Sequence, residues 1–150
     1  MKIVFTNGCF DILHRGHIEY LQKSKDLGDI LIVGINSDES VKRLKGNNRP
    51  INNQQDRKFM LKSLSCVNNV VIFNEDTPYE TIKKLKPNIL TKGGDYTIET
   101  VVGHDLVEKT YIIPFTTGYS TTNIIERIHN ETWRFCRKGL GPRTYLGNKW

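Results

Sequence analysis

Residues 2–36 read KIVFTNGCFDILHRGHIEYLQKSKDLGDILIVGIN, and this stretch decides the class of fold. Its two ends, residues 2–6 and 29–35, are short, apolar and β-branched, which is typical of strands buried on both faces of a parallel sheet. Between them, apolar side chains recur near helical spacing within residues 16–27. The stretch therefore predicts two parallel strands joined by a helix.

The rest of the chain continues the alternation of strands and helices. Helices are predicted over 54–64, 78–86 and 121–130, and strands over 69–73, 88–91 and 110–115. The segment from Asn36 to Gly46 is interpreted as a turn. This order predicts an α/β fold, a doubly wound, Rossmann-like parallel sheet of five strands with helices on both faces, whose ligand lies at the carboxyl ends of the strands.

Composition excludes several classes of protein. The chain has 150 residues, 37% hydrophobic and 25% charged, which suits one folded domain and argues against global disorder. No apolar run approaches the roughly 18 residues that span a bilayer, and the apolar start is too short for a signal peptide. We therefore expect a cytoplasmic protein. Cys9, Cys66 and Cys136 are widely spaced and odd in number, which predicts free thiols.

The net charge of +6 is concentrated at one end of the chain. Five basic side chains and one acidic side chain lie from residue 129 onward, which leaves +2 for residues 1–128. Because residues 1–128 carry so little net charge, nucleic acid is not required as a partner. A few suitably positioned cations can still bind an anionic small molecule.

Two histidines at the predicted mouth of the first helix form the most informative motif. His14 and His17 are three residues apart around Gly16, so both imidazoles can lie beside backbone N–H groups that favour an anion. Gly16 would let a ligand approach the backbone closely. Two structural alternatives stay open: one histidine caps a turn while the other packs in the core, or the pair binds a metal. The metal alternative is weaker, because no third histidine or cysteine has zinc-like spacing.

Three further segments follow the predicted strands. Lys45, beside Gly46, can receive a phosphate or remain a solvated cation. Ser120, Thr121 and Thr122 precede an apolar helix, where one hydroxyl acts as the N-cap and the others can contact phosphates. The glycines of Lys92-Gly93-Gly94-Asp95 either end a strand or let its backbone contact a base or ribose.

Taken together, the residues TNGCFDILHRGH at 6–17 resemble the G-x-F-D-x-x-H-x-G-H signature of the cytidylyltransferase-like nucleotidyltransferases. The resemblance covers about residues 2–129. Within that group, RLKG at 43–46, KGGDY at 92–96 and STTNII at 120–125 look most like heptose 1-phosphate adenylyltransferase domains of ADP-heptose synthases. The related cytidylyltransferases carry R-T-E-G-I-S-T before the last helix, whereas this chain has Phe115 where they have the arginine.

The resemblance implies transfer of AMP from ATP to a sugar 1-phosphate, most similar to D-glycero-D-manno-heptose 1-phosphate, by in-line displacement of pyrophosphate. Magnesium would be the cofactor, held mainly by the nucleotide phosphates, with no metal site on the protein. Asp11 and Arg57 also match family positions, and turn and helix-packing roles are favoured for both. The implied catalytic residues are His14, His17 and Lys45; the nucleotide contacts are Gly8, Cys9, Phe10, His14, Gly16, His17, Gly93, Gly94, Asp95, Ser120, Thr121 and Thr122; the acceptor contacts are Asn7 and Lys45.

The sequence divides into a nucleotidyltransferase domain over residues 1–129 and a basic, aromatic extension over 130–150. We expect the extension to pack on its own domain or on the second subunit of a homodimer through Trp133, Phe135, Tyr145 and Trp150. The expected partners are ATP and a sugar phosphate, with neither a membrane nor nucleic acid. Two alternatives stay open: a cytidylyltransferase using CTP with glycerol 3-phosphate or another small phosphate ester, and a catalytically silent module that binds nucleotide or RNA.

Overall fold

One parallel sheet of five strands organises the molecule. The computed structural model describes residues 1–137, with side chains through residue 131. Its strands are β1 (Ile3–Gly8), β2 (Ile30–Asn36), β3 (Asn69–Phe73), β4 (Ile89–Gly93) and β5 (Lys109–Ile113). They lie in the order β3-β2-β1-β4-β5, and every neighbouring pair is parallel. The predicted α/β sheet is confirmed.

Five helices connect or follow these strands. They are α1 (Arg15–Lys25), α2 (Asp38–Lys45), α3 (Gln54–Lys62), α4 (Tyr79–Leu85) and α5 (Thr121–Arg137), and two short 3-10 turns, Ile98–Thr100 and His104–Leu106, lie between β4 and β5.

The core has two layers because the central strands are covered on both faces. Val4 packs in one cluster with Leu21 of α1 and Leu61 of α3. Its neighbour Phe5 faces the opposite side and packs with Ile82 of α4. Successive strand residues point to opposite faces, so a strand that is covered on both faces has no polar alternation. This is why the strands are continuously apolar in the sequence.

Two helices differ from the expectation. The segment interpreted as a turn after β2 contains α2, whose N-cap Ser37 accepts the Ser40 N–H and whose last turn is basic. These are ordinary helix signals, and the helix escaped notice only because it is short. The last helix runs to Arg137 instead of ending at residue 130, because the first glycine beyond its start is Gly139.

The order in which strands are added to the sheet changes side at β1, and this places the site. β1 leads to β2 on one side, whereas β4 lies on the other side of β1. The turn from β1 into α1 holds Phe10 and Ile12 at φ of +48° and +57°, a conformation rare for bulky residues and frequent near functional sites. Ligands of such sheets bind beside this switch point.

Two other expectations can be compared with the described residues. Cys9 and Cys66 are free thiols, as predicted, while Cys136 lies outside the described side chains. Across residues 1–137, no helix combines the length and apolar character needed to cross a membrane.

Candidate active site

A cleft of about 790 Å³ opens at the carboxyl ends of β1, β4 and β5. Its wall combines the β1–α1 turn, the end of α2, the end of β4 and the loop that leads from β5 into α5. This is the edge of the sheet that the sequence predicts for a ligand. The cleft brings together most of the predicted site residues, namely Asn7, Gly8, Cys9, Phe10, His14, Gly16, His17, Lys45, Gly93, Ser120, Thr121 and Thr122.

The two histidines cap α1 and line the cleft at the same time. The N–H of His17 donates to Nδ1 of His14, and the N–H of His14 donates to Nδ1 of His17, each over 3.4 Å. The rings stack with centroids 3.7 Å apart. The capping alternative and the phosphate-binding hypothesis are therefore compatible. Among the described residues, no group of three metal-ligating side chains accompanies the pair.

This capping arrangement fixes the tautomer of both rings. A ring nitrogen that accepts a backbone N–H carries no proton, so the proton of each neutral imidazole lies on Nε2. Burial, the charge of His14 and the charge of Lys45 lower the pKa of His17 to about 4, and burial lowers the pKa of His14. Both rings are thus neutral near pH 7, and each retains one N–H donor for a ligand.

The N-terminus of α5 forms the opposite wall. Ser120 is the N-cap, because its Oγ accepts the N–H of Asn123 at 3.0 Å. Thr121 donates its hydroxyl to the backbone oxygen of Asp11 at 2.9 Å, which ties α5 to the β1–α1 turn. Thr122 remains exposed in the cleft wall. The predicted N-cap is confirmed, and the hydroxyl of Thr121 already binds the protein backbone.

A carboxylate on α1 holds the loop before α5 in place. Glu19 accepts Nε of Arg15 at 2.7 Å and the hydroxyl of Thr116 at 2.8 Å. The Arg15 guanidinium also lies 5.8 Å from the centre of the Tyr119 ring. Gly16 is needed here, since a Cβ atom would lie 3.0 Å from both the His14 ring and Cβ of Tyr119. The close approach at Gly16 is therefore made by the protein's own side chains.

The cleft departs from the expectation at β4. Gly93 lines the wall, but Gly94 and Asp95 do not. The ring of Phe115 covers Gly94, where a Cβ atom would lie 2.7 Å from its Cζ and the backbone has φ of +101°. Phe115 itself is 71% exposed and lines the cleft. The glycine pair thus makes room for an aromatic ring that lines the cleft, and the assignment of Gly94 and Asp95 to the nucleotide stays a prediction.

Asp11 and Arg57 stabilise the β1–α1 turn through contacts within the protein. Asp11 accepts Nε of Arg49 and the N–H groups of Ile51 and Asn52. Burial alone would raise the pKa of Asp11, but these hydrogen bonds and the Arg49 charge lower it below its usual value. Arg57 is completely buried and donates to backbone and carboxylate oxygens. Both residues bind the protein itself, in keeping with the packing roles favoured for them.

Several residues of the cleft were not assigned to the site from the sequence, and three of them offer a charge or an aromatic ring to a ligand. Lys92 and Tyr96 stand within the quoted KGGDY segment, and Phe115 replaces the arginine of R-T-E-G-I-S-T, yet none was assigned to the site. All three line the cleft. The signal was present for Phe115, because a large apolar residue in a loop at a ligand-binding sheet edge points to a contact with the ligand.

The family model described as cytidylyltransferase-like matches residues 5–127. The chain belongs to the cytidylyltransferase-like family. Relatives with the name bifunctional protein HldE include one from a Nitratiruptor species, 63% identical over 129 residues, and one from Helicobacter pylori, 61% identical over 133 residues. These matches cover 86% and 87% of this chain but only 28% and 29% of the relatives. The chain thus spans less than a third of the length of the curated relatives it matches.

Solved structures agree with the architecture of this cytidylyltransferase-like chain. A lipopolysaccharide core biosynthesis protein from Thermoplasma volcanium is 31% identical, with a TM-score of 0.64 over 80% of this chain and 99% of its own. A pantoate–β-alanine ligase from Francisella tularensis, 20% identical with a TM-score of 0.54 over 91% of this chain and 71% of its own, shares the fold alone.

Proposed function

We propose that the chain transfers AMP from ATP to a sugar 1-phosphate, D-glycero-D-manno-heptose 1-phosphate, and releases ADP-heptose and pyrophosphate. One observation carries this proposal: the stacked, neutral histidine pair at the mouth of α1 shares a cleft with Lys45 and with the mouth of α5. Two helix N-termini, imidazole donors and a lysine form a receptacle suited to a triphosphate. The motifs at 43–46 and 92–96 favour a sugar 1-phosphate as the acceptor.

The proposed reaction needs no nucleophile from the protein. An oxygen of the acceptor phosphate forms a bond to the α-phosphorus of ATP, and the bond from that phosphorus to the bridging oxygen of the β-phosphate breaks. The electron pair leaves with pyrophosphate. Catalysis then depends on positioning and on stabilising charge, which agrees with a cleft rich in donors.

The histidine pair supplies donors without introducing two fixed charges. Because Nδ1 of each ring is held by the backbone, the Nε2–H groups of His14 and His17 are the donors available to phosphate oxygens. Negative charge that develops in the transition state strengthens these hydrogen bonds. Lys45 would orient the attacking phosphate and share its charge, and Asn7 would contact the acceptor.

The nucleoside would lie against the opposite end of the cleft. The backbone of Gly8, Cys9 and Phe10 lines one side of the pocket, and Gly93 lines the other. The exposed rings of Tyr96 and Phe115 offer surfaces on which a base can stack. An aromatic ring at position 115, in place of a guanidinium, supports stacking of a purine, and this favours ATP over CTP.

Magnesium would enter with the nucleotide. The carboxylates that line the cleft are already engaged, since Asp11 pairs with Arg49 and Asp76 pairs with Arg43. The donor set does not fit a divalent cation held by the protein, because such sites offer several free oxygen ligands. We therefore treat magnesium as the counterion of the triphosphate and of the departing pyrophosphate.

A pyrophosphate-release matrix of four nucleoside triphosphates against sugar and polyol phosphates tests the function. We expect turnover with ATP and heptose 1-phosphate. Turnover with CTP and glycerol 3-phosphate, without ATP turnover, would replace the proposal by a cytidylyltransferase. Tight nucleotide or RNA binding with no pyrophosphate release from any acceptor would indicate a silent binding module.

A matched pair of lysines on α2 provides the control for this assay. Lys45→Met should lower kcat/KM by roughly 10²-fold or more, as the loss of a charge-stabilising group in a catalytic site does. Lys42→Met should have little effect, because Lys42 is exposed, pairs with Glu39 and does not line the cleft. Equal activity in the two variants would remove Lys45 from the reaction.

The homodimer and the cytoplasmic location stay predictions. The aromatic residues expected to carry the dimer contact, Trp133, Phe135, Tyr145 and Trp150, lie outside the described side chains. Sedimentation velocity of the whole chain and of a version ending at residue 129 tests their role, with loss of the dimer expected on truncation.

A further inference from the structure

The side chain of Lys92 stands where two neighbouring strands end. Thr91 of β4 pairs with Thr6 of β1, so the next residues, Lys92 and Asn7, lie side by side at the switch point of the sheet. The Lys92 ammonium is 3.5 Å from Oδ1 of Asn7 and 5.4 Å from the centre of the Tyr96 ring. All three residues line the cleft.

Lys92 differs from Arg49, the guanidinium of the cleft wall, in its partners. Arg49 pairs with Asp11 at 2.9 Å, whereas no carboxylate among residues 1–131 forms an ion pair with Lys92. Lys92 contacts a neutral amide and an aromatic face, and it also interacts electrostatically with the Cys9 thiol. Lys92 is also half-buried, and this burial lowers its pKa. A partly desolvated cation without a protein anion is a common feature of anion-binding sites.

The position of Lys92 favours the acceptor over the nucleotide. The two helix mouths, with their free N–H groups, already account for the triphosphate. A sugar 1-phosphate adds roughly two further negative charges at neutral pH. Lys45, already proposed to share the charge of this phosphate, compensates one of them, and a second cation close to Asn7 compensates the other. We propose that the Lys92 ammonium binds the phosphate of the attacking sugar 1-phosphate while the amide of Asn7 bonds a neighbouring hydroxyl. This inference rests on the proposed function, because it assigns the acceptor of that reaction to two named side chains.

Lys92→Met tests the assignment, since methionine keeps an unbranched side chain and removes the charge. We expect the KM for the sugar 1-phosphate to rise about 10- to 100-fold, the range for one charged hydrogen bond. The KM for ATP, and the calorimetric affinity for α,β-methylene-ATP with magnesium, should change less than about threefold. Lys92→Arg should recover most of the acceptor affinity because it restores the charge.

Lys109→Met is the matched control, because Lys109 begins the adjacent strand β5 at the far end of the sheet and is exposed. Lys92→Gln replaces Lys92→Met if the latter does not fold. The inference is overturned if the ATP analogue loses affinity while the acceptor does not, or if neither changes.

The result also separates this inference from the proposed function. If wild-type protein turns over another phosphate ester in place of heptose 1-phosphate, the heptose proposal fails and the Lys92 comparison is made with that ester. If no acceptor is turned over, calorimetric binding of heptose 1-phosphate in the presence of α,β-methylene-ATP decides. Binding that weakens in Lys92→Met supports the inference, and binding that is absent or insensitive overturns it.

Discussion

Two sets of charged side chains flank the β1–α1 turn, and they differ in how their charges are compensated. In the first set, Asp11 accepts hydrogen bonds from Arg49 and from two backbone N–H groups, and Arg57 donates to Cys9 O, Asn52 O and Asp38 Oδ1. In the second set, Lys45 and Lys92 face the cleft, and neither forms an ion pair with any of the described residues.

This difference separates residues that build the site from residues that act on a ligand. A buried charge must be paired and fully hydrogen-bonded to be tolerated, so the compensated set is committed to the structure. A partly solvated cation does not need an anion from the protein, so it remains available to bind an anionic ligand. Substitutions in the compensated set should therefore cost stability, and substitutions of the uncompensated lysines should cost activity.

The largest expected effect lies in the compensated set. Arg57→Met removes a completely buried guanidinium and its three hydrogen bonds. It leaves the Asp38 carboxylate and two carbonyl groups without that donor, which should lower the free energy of unfolding by about 3–5 kcal/mol. Urea unfolding measures this change. Arg43→Met, which removes an exposed pair with Asp76, should cost less than about 1 kcal/mol; equal losses would contradict the comparison.

Substitution in the histidine pair should lower activity more than stability. His17→Ala removes a proposed phosphate donor, so kcat/KM for ATP should fall by about 10²- to 10³-fold. The variant also loses half of the reciprocal cap, which costs only about 1 kcal/mol of stability. Pyrophosphate-release kinetics and urea unfolding measure the two effects. His129→Ala, on the exposed surface of α5, should change neither; a His17 variant that unfolds yet retains kcat/KM would reverse our interpretation.

The contribution of His17 to the free energy of unfolding should depend on pH. The pKa of His17 is about 4 in the folded protein, against 6.5 for an unperturbed histidine, so between these values the unfolded chain binds a proton that the folded chain does not. The free energy of unfolding should therefore decrease as pH falls from 6.5 toward 4 and then level off. Because carboxylates such as Asp11 change stability in the same direction, the measured quantity is the difference between wild type and His17→Ala across this range. Parallel curves would show that His17 titrates normally.

The smallest expected effect concerns the link between α1 and the loop before α5. Glu19→Gln weakens the contacts with Arg15 and Thr116, which should loosen a loop that forms part of the cleft wall. Since the pair with Arg15 is exposed, we expect only roughly a two- to fivefold rise in the KM for ATP, and an unchanged kcat. Glu39→Gln breaks a similar exposed pair on α2 and should leave the KM unchanged. A KM in Glu19→Gln that matches the control would remove the loop from nucleotide binding.

Features carried by neighbouring residues could be predicted from the sequence. Continuous apolar runs predicted the strands, because a strand covered on both faces lacks polar alternation. The spacing of His14 and His17 placed both at the mouth of α1, and Ser120 was among the residues expected to cap α5. The signals for α2 and for the extension of α5 were also local, so these two elements were open to sequence reasoning and were missed.

Contacts between distant residues escaped prediction. Lys92 meets Asn7 across 85 positions of sequence, and Thr116 meets Glu19 across 97. The sequence left open whether Gly94 ends a strand or contacts a ligand, and it could not show that the ring of Phe115 packs against this glycine. The type of a residue indicates which groups its side chain can bind. Its tertiary contacts decide whether that side chain already binds another part of the protein.

The sequence by itself determined the parallel α/β architecture, the edge of the sheet that carries the cleft and the histidine-capped helix, because each follows from short-range periodicity, capping and the geometry of parallel strands. Only the tertiary structure decided which charges are compensated within the protein. This compensation depends on atoms brought together from segments that are distant in the sequence. It distinguishes Asp11 and Arg57, whose charges are paired within the protein, from Lys45 and Lys92, which form no ion pair with the described residues.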